Sequence, residues 1–353
     1  MSELRKPPTV RDVAKLAGVS TATVSRALNK RGGVDDQLVQ RVNSAAGELG
    51  YRMNSVARNL RRAKTTTIAV IIPDISNPFY THLVHAVQQV AWEEHHSVVL
   101  CNTDADVVKE TEYILNAVSD KVAGVIVVLA SESLNTLDPL RAAGVPLVVV
   151  DRVMEGLAID SVVTSNVDGA REATTHLIEN GYRRIACIAG PLTALTSKER
   201  YEGYRFALAD AGIPFEPRLL KETNFMPDGG FVGMTELLAD PEPPDAVFIV
   251  NNMLTIGALE AISDGDVRVP DDIALVGFDS IPWARLIRPT LSVVEQPVTE
   301  MGMAAGRLLL QRVRDPLKPV ERIVLPSRLV PGGSSRRRGG VAAAVGRPQR
   351  RPR

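Results

Sequence analysis

TVRDVAKLAGVSTATVSRALN, residues 9 to 29, decides how the rest of the chain is read. Val10, Val13, Ala14 and Ala17 recur at helical spacing and give a first helix one apolar face. Gly18 follows that face where a helix must end, because glycine accepts the left-handed conformation needed there. Ser20 and Thr21 carry side chains that can cap a second helix, which turns Val24, Ala27 and Leu28 inward. Thr21, Ala22, Thr23, Ser25 and Arg26 are left on or near its opposite face. Short polar groups with one arginine suit a helix that must come close to base edges in a DNA groove. An ordinary helical hairpin with a glycine turn is the alternative reading of this stretch.

The charge distribution favours the first reading. The 353 residues carry no net charge, but they divide unevenly. Residues 1–64 hold 13 Lys and Arg against 5 Asp and Glu, and residues 332–353 hold 7 arginines and no acid. The body between them is strongly acidic. A basic head on an acidic body is the electrostatic footprint of a nucleic-acid-binding domain joined to something else. With 45% apolar residues the chain can build sizeable cores, enough for two or three domains. No run reaches the roughly 18 apolar residues of a membrane span, and the N-terminus has no signal core. Cys101 and Cys187 sit in apolar runs and read as buried free thiols, which fits a cytoplasmic protein.

A third helix follows the first two, with Leu38, Val42, Ala45, Ala46 and Leu49 as its stripe and Gly50 as its end. In NSVARNLRRAK (54–64), Asn54 or Ser55 can cap a short helix holding Val56, Ala57 and Leu60, ringed by Arg58, Arg61, Arg62 and Lys64. About ten residues are too few for a helix stable alone in water. The segment either folds against phosphate or is a solvated basic linker, and composition leaves both open. From Thr67 onward, apolar runs at 68–73, 98–101, 122–129, 145–150, 184–190, 246–250 and 273–278 alternate with helical stretches. Continuous apolar strands alternating with helices imply parallel sheets covered on both faces. There are too many for one sheet, so two doubly wound subdomains are expected, with ligand in the cleft at the carboxyl ends of strands. A stretch near Leu291 to Pro297 would return the chain to the first subdomain.

The order of these parts resembles the LacI/GalR (lac repressor) family of bacterial transcription regulators. VRDVAKLAGVSTATVSRALN is similar to the family's N-terminal signature, and LGY (49–51) with NSVARNL to its third helix and hinge. NPFY (77–80), VDR (150–152), ERYEGYRFAL (199–208), NNMLTIGALEA (251–261), VPDDIALVGFDSIPWA (269–284) and PTLSVVEQP (289–297) resemble its ligand-binding core in order. The resemblance implies an α/β chain: a three-helix helix-turn-helix head (1–52), a hinge helix and linker (53–65), and a core of periplasmic-binding-protein type (66–331). Subdomain one is placed at about 66–164 and 294–322, subdomain two at about 165–293 and 323–331, and a disordered Arg-rich tail at 332–353. It further implies a homodimeric repressor on a palindromic double-stranded operator, hinge helices paired in the minor groove, and a small effector in the core. It implies no cofactor, no metal and no membrane.

Residue roles follow from chemistry and family position together. Arg26 is a candidate for a bidentate guanine contact or for a phosphate contact. Thr21 and Ala22 share its face, Ala22 meeting a thymine methyl or giving clearance. Ser20, Thr23, Ser25 and Asn29 are candidates for phosphate. Leu60 occupies the position of the family's hinge leucine, an apolar wedge at a central base step, with Asn54, Ala57 and Arg61 beside it. In the core, Phe79 and Tyr80 offer aromatic faces or cap and fill a helix start. Asp151 and Arg152 end an apolar strand, where a charged pair suits a cleft. Thr196, Arg200, Asn251 and Asp279 complete the family positions, although a structural salt bridge between Asp279 and an arginine is an alternative. Phe278 or Trp283 is the candidate for a second aromatic wall. Many relatives carry Asp where this chain has Asn252. The set favours a sugar, such as a pentose or hexose, over a nucleobase or sugar acid. His82, His85, His95 and His96 lack a third ligand at metal spacing, and no Ser/His/Asp set or phosphate loop supports an enzyme.

Overall fold

A computed structural model describes residues 8–28, 35–51, 65–130, 134–152 and 158–336. Contacts divide the chain into two units, residues 1–65 and 66–353.

The first unit builds α1 (Val10–Ala17), α2 (Thr21–Leu28) and α3 (Asp36–Glu48) around Val13, Ala14, Ala17, Val24, Ala27, Val42, Ala45 and Ala46. Thr9 opens α1, its backbone N–H and its hydroxyl both donating to the Asp12 carboxylate at 2.8 and 2.7 Å. Those two bonds hold the Asp12 carboxyl below its usual range. Gly18 closes the helix with φ +62°, the left-handed conformation its identity demanded. Arg41 of α3 donates to the Ala17 carbonyl at 2.9 Å, satisfying an end of α1 and pinning α3 against it. Val39 and Leu38 are both half-buried, and Val39 packs against the core beside the expected stripe.

The second unit holds two six-stranded sheets among the described residues. Lobe one contains β1 (Thr67–Ile72), β2 (Ser97–Asn102), β3 (Gly124–Val127), β4 (Leu147–Val150), β5 (Asp160–Thr164) and β11 (Arg322–Leu325) in the order β11-β5-β4-β3-β1-β2, all parallel. Its helices are α4 (Pro78–Glu93), α5 (Val107–Ser119), α6 (Asp138–Ala142) and α11 (Val298–Arg314). Lobe two contains β6 (Ile185–Ala189), β7 (Leu220–Glu222), β8 (Ala246–Ile249), β9 (Ala274–Phe278), β10 (Ser292–Glu295) and β12 (Arg328–Val330) in the order β12-β10-β9-β8-β6-β7. Only β12 runs antiparallel to its neighbour. Its helices are α7 (Asn166–Glu179), α8 (Leu195–Asp210), α9 (Pro227–Leu238) and α10 (Asn252–Asp264). The central strands β3, β4, β8 and β9 are buried along their whole length, as continuous apolar runs require.

Three crossovers join the lobes, and two fall later than the sequence placed them. β10 pairs wholly within lobe two and β11 wholly within lobe one, so the chain crosses after Glu295 and again after Leu325. Ser165 and Ser327 stitch two crossovers together: the Ser327 N–H donates to Ser165 Oγ at 3.1 Å and its hydroxyl to the Ser165 carbonyl at 3.0 Å. The tail boundary also moves. Ser334 and Ser335 are buried in lobe two, where Ser334 Oγ donates to the Leu275 carbonyl at 2.7 Å and Ser335 Oγ meets Ser292 Oγ at 2.6 Å. Residues 332–336 therefore belong to the core, and the chain from 337 lies outside the described residues. Among the described residues, no helix is long and apolar enough to cross a membrane.

Candidate functional site

The head presents α2 with Thr21, Ala22 and Arg26 exposed and Thr23 and Ser25 half-exposed. Ser20 is already engaged: its Oγ accepts from the Thr23 N–H at 3.1 Å and contacts Thr23 Oγ1 at 2.9 Å. It caps α2. Asn29, Asn54, Ala57, Leu60 and Arg61 lie outside the described residues.

In the core, strand ends of both lobes converge on a cleft of about 470 Å³. Lobe one supplies Asn77, Phe79 and Tyr80 after β1 and Asp151 and Arg152 after β4. Lobe two supplies Arg200 from α8, Phe225 after β7, Asn251 after β8, Asp279 after β9 and Gln296 after β10. Asn77 caps α4, its Oδ1 accepting the Phe79 N–H at 3.0 Å, and Pro78 supplies the fixed φ of a first helical turn. Phe79 and Tyr80 then meet edge to face at 5.1 Å, both packed into the lobe-one core and both lining the cleft. The cap-and-core alternative for NPFY is therefore the one the structure shows, and both rings also border the cleft.

Arg200 is held from four sides. Its Nε donates to Asn166 Oδ1 and its Nη1 to the Val250 carbonyl, each at 2.8 Å. Its guanidinium lies 3.9 Å from the Phe278 ring centroid, and Nη1 stands 3.6 Å from the Asp279 carboxylate. Gln296 Nε2 donates to Asp279 at 2.5 Å. The salt bridge allowed for Asp279 therefore exists within the cleft lining. Burial raises the Asp279 carboxyl above its ordinary value, against the pull of Arg200 and Gln296. Burial also raises Asp151, opposed by Arg200 and by the adjacent Arg152. Asp151 and Asp279 both take the left-handed backbone conformation, with φ of +68° and +70°. Among the described residues, Asp151 Oδ1, Arg152 Nε and Gln296 Oε1 are buried polar atoms of this lining with no hydrogen-bond partner. Such atoms favour a ligand that supplies both donors and acceptors.

Six expected effector residues come together: Phe79, Tyr80, Arg152, Arg200, Asn251 and Asp279. Two do not. Thr196 points into the lobe, because α8 already begins at Leu195, and Thr193 and Ala194 line the cleft instead. Trp283 is 45% exposed and lines a separate recess with Ile256, Leu259 and Ile287, while Ile281 is the buried residue of this loop. Phe278 is fully buried beneath Arg200 and forms no wall. The second aromatic wall is Phe225, which the sequence reading missed; Arg152 lies 5.3 Å from its ring centroid. A Cβ at Gly190 would stand 2.4 Å from that ring, so the glycine lets Phe225 approach the chain just past β6. Asn77 and Gln296 were also missed. Neither carries the same signal: Asn77 lies five residues beyond β1, and Gln296 follows the charged Glu295.

Comparison with known proteins bears on both units. The profile of the bacterial regulatory proteins of the lacI family matches residues 9–54, and that of the periplasmic binding protein-like domain matches residues 174–335. The HTH-type transcriptional regulator DegA of Bacillus subtilis is 36% identical over 325 residues, 91% of this chain and 96% of that protein. The ribose operon repressor of Escherichia coli is 34% identical over 328 residues, 93% of this chain and 99% of that protein. Among solved structures, a lac repressor dimer bound to operator and an anti-inducer superposes with a TM-score of 0.84 at 28% identity, covering 94% of this chain and 99% of that one. A regulator of this family from Enterococcus faecium with bound ribose superposes at 0.70 and 29% identity, covering 76% of this chain and 98% of that one. These relatives are transcription regulators, not enzymes. The chain belongs to the lacI family of bacterial regulatory proteins: it is a helix-turn-helix DNA-binding transcription regulator with an effector-binding core.

Proposed function

We propose that this regulator is a homodimeric cytoplasmic repressor of a palindromic operator, controlled by an unphosphorylated neutral monosaccharide, with ribose the first candidate. The carrying observation is the balance of the cleft. Buried Asp151 and Asp279 offset Arg152 and Arg200, so no cation is left over for a phosphate or carboxylate. Phe79 and Tyr80 on one side and Phe225 on the other line the cleft with aromatic rings, the kind of surface on which sugar rings pack. The ribose operon repressor and the ribose-bound regulator support the same class. Titration calorimetry with D-ribose, D-glucose, ribose 5-phosphate, gluconate and guanine tests the reading. Saturable heat with a neutral sugar is expected; binding of only the anions or guanine overturns it.

On DNA, Thr21, Ala22 and Arg26 would face base edges, Ser20, Thr23, Ser25 and Asn29 the backbone, and Asn54, Ala57, Leu60 and Arg61 the operator centre. Arg26→Ala should remove about 1–3 kcal/mol of discrimination at one or two operator positions. Uniform weakening across sequences would make Arg26 a phosphate contact instead. Leu60→Ala should weaken operator binding while sparing effector binding. Exposed Leu286 and Trp283 on lobe two, and Val99 and Leu100 on lobe one, offer apolar surface for self-association. Effector and operator should be coupled by about 1–3 kcal/mol, the usual range for two linked sites.

A further inference from the structure

Asn77 and Asn252 belong to different lobes and are bonded to each other. Asn252 Nδ2 donates to Asn77 Oδ1 at 2.9 Å, and both residues are buried. The direction of this bond is fixed by its surroundings. Asn77 Oδ1 also accepts the Phe79 N–H, so an oxygen must stand there to cap α4. A carbonyl oxygen has two lone pairs, and with one committed to the cap the other suits only a donor. Asn251, the preceding residue, is differently occupied. Its Oδ1 caps α10 through the Leu254 N–H at 2.8 Å, and its Nδ2 donates to the Phe225 carbonyl at 3.2 Å. The tandem asparagines therefore divide two tasks: the first fixes the lobe-two aromatic wall, and the second reaches across to the turn that carries the lobe-one wall.

We propose that Asn77 and Asn252 are positioning residues forming an interlobe clasp that holds the two lobes in this arrangement and so sets effector affinity. The clasp needs no ligand atom. It biases the lobes toward the arrangement in which Phe79, Tyr80 and Phe225 face one cleft. An effector that binds this arrangement is weakened in proportion to its depopulation. One buried neutral hydrogen bond supports a change of roughly 3- to 10-fold in affinity.

The test uses the full-length protein with spin labels at exposed Gln88 and Glu236, one in each lobe, in a Cys101→Ser background, labelled chains being diluted into unlabelled ones. Interlobe distances are read by double electron–electron resonance, and D-ribose affinity by calorimetry. Asn252→Ala removes the donor. Asn77→Ser keeps an α4 cap but is too short to reach Asn252. Asn77→Asp keeps both accepted bonds. Without sugar, the first two variants should shift the distances toward longer values, while Asn77→Asp keeps the parental distribution. D-ribose affinity should fall 3- to 10-fold in the first two only. Parental distances in both Asn252→Ala and Asn77→Ser would overturn the clasp, whatever happens to their thermal midpoints. The distance measurement is independent of the sugar assignment: failure to bind D-ribose with shifted distances removes ribose as the first candidate and leaves the clasp standing.

Discussion

Lobe one and lobe two are built to one plan and differ in how finished they are. Both run six strands in equivalent order, and both place a left-handed aspartate after the corresponding strand. Asp151 follows β4 and its N–H donates to the Val162 carbonyl at 3.0 Å; Asp279 follows β9 and its N–H donates to the Val294 carbonyl at 2.8 Å. There the likeness stops. Asp279 is gripped by Arg200 and Gln296, and Arg200 in turn by Asn166, Val250 and Phe278. Asp151 stands 4.0 Å from Arg152, with Oδ1 unsatisfied, and Arg152 Nε is unsatisfied as well. Lobe two is the more finished floor, with Gln296 Oε1 left unpartnered, and lobe one is a lip in which Asp151 Oδ1 and Arg152 Nε are unpartnered.

The largest effect should come from the floor. Arg200→Ala leaves Asp279 buried beside a lost partner, and breaking a buried pair from one side typically destabilises by about 3–5 kcal/mol. A drop in the calorimetric midpoint of the effector-free protein, with loss of effector binding, is expected; an unchanged midpoint would erase the distinction between the lobes. Next come the paired aspartates. Asp279→Asn should lower both stability and effector affinity. Asp151→Asn should lower affinity about 10- to 100-fold, the range for one hydrogen bond to a charged group, with little loss of stability. Equal stability losses in the two variants would break the comparison. Phe225→Leu keeps apolar bulk but removes the ring under Arg152, and should weaken effector binding about 2- to 5-fold, as for a partly exposed cation–π contact.

The smallest effect is a pH dependence. Burial holds the Asp151 and Asp279 carboxyls above their ordinary value of 3.8, so the folded core keeps protons that the unfolded chain has released. The stability contributed by the protonated forms is present below 3.8 and lost as pH rises through the raised values. An effector whose hydroxyls donate to the carboxylates reverses that preference. Effector affinity should therefore increase with pH over the same interval, with proton release detectable by calorimetry in buffers of different ionisation enthalpy. Affinity that falls as pH rises would show the aspartates acting as protonated donors.

What could be read in the sequence was whatever carried its own contrast. Gly18 after an apolar helical stripe, and Asp151, Asn251 and Asp279 after unbroken apolar strands, are polar or permissive residues where the local pattern offers no other use for them. The residues that escaped depend on distant partners. Phe225 follows β7, a strand of three residues without an apolar run, and its place is set by Gly190 and Arg152. β5 was hidden by Asp160, whose charge is explained by the bidentate Arg312 of α11 at 2.8 and 2.9 Å and by the Glu321 N–H at 2.9 Å. Thr196 and Trp283 erred by rotation: each lies within a few residues of the cleft, but Thr196 points into the lobe and Trp283 lines a separate recess.

The serine-stitched crossovers carry one more implication. Two of the three chain segments that join the lobes run side by side, with Ser165 bonded to Ser327, so the lobes meet at a bonded hinge. Occupancy and signal then become separable. A sugar analogue bearing a bulky substituent on the edge away from Arg200 would sit on the floor yet prop the jaws apart, making it a competitive antagonist rather than a poor ligand.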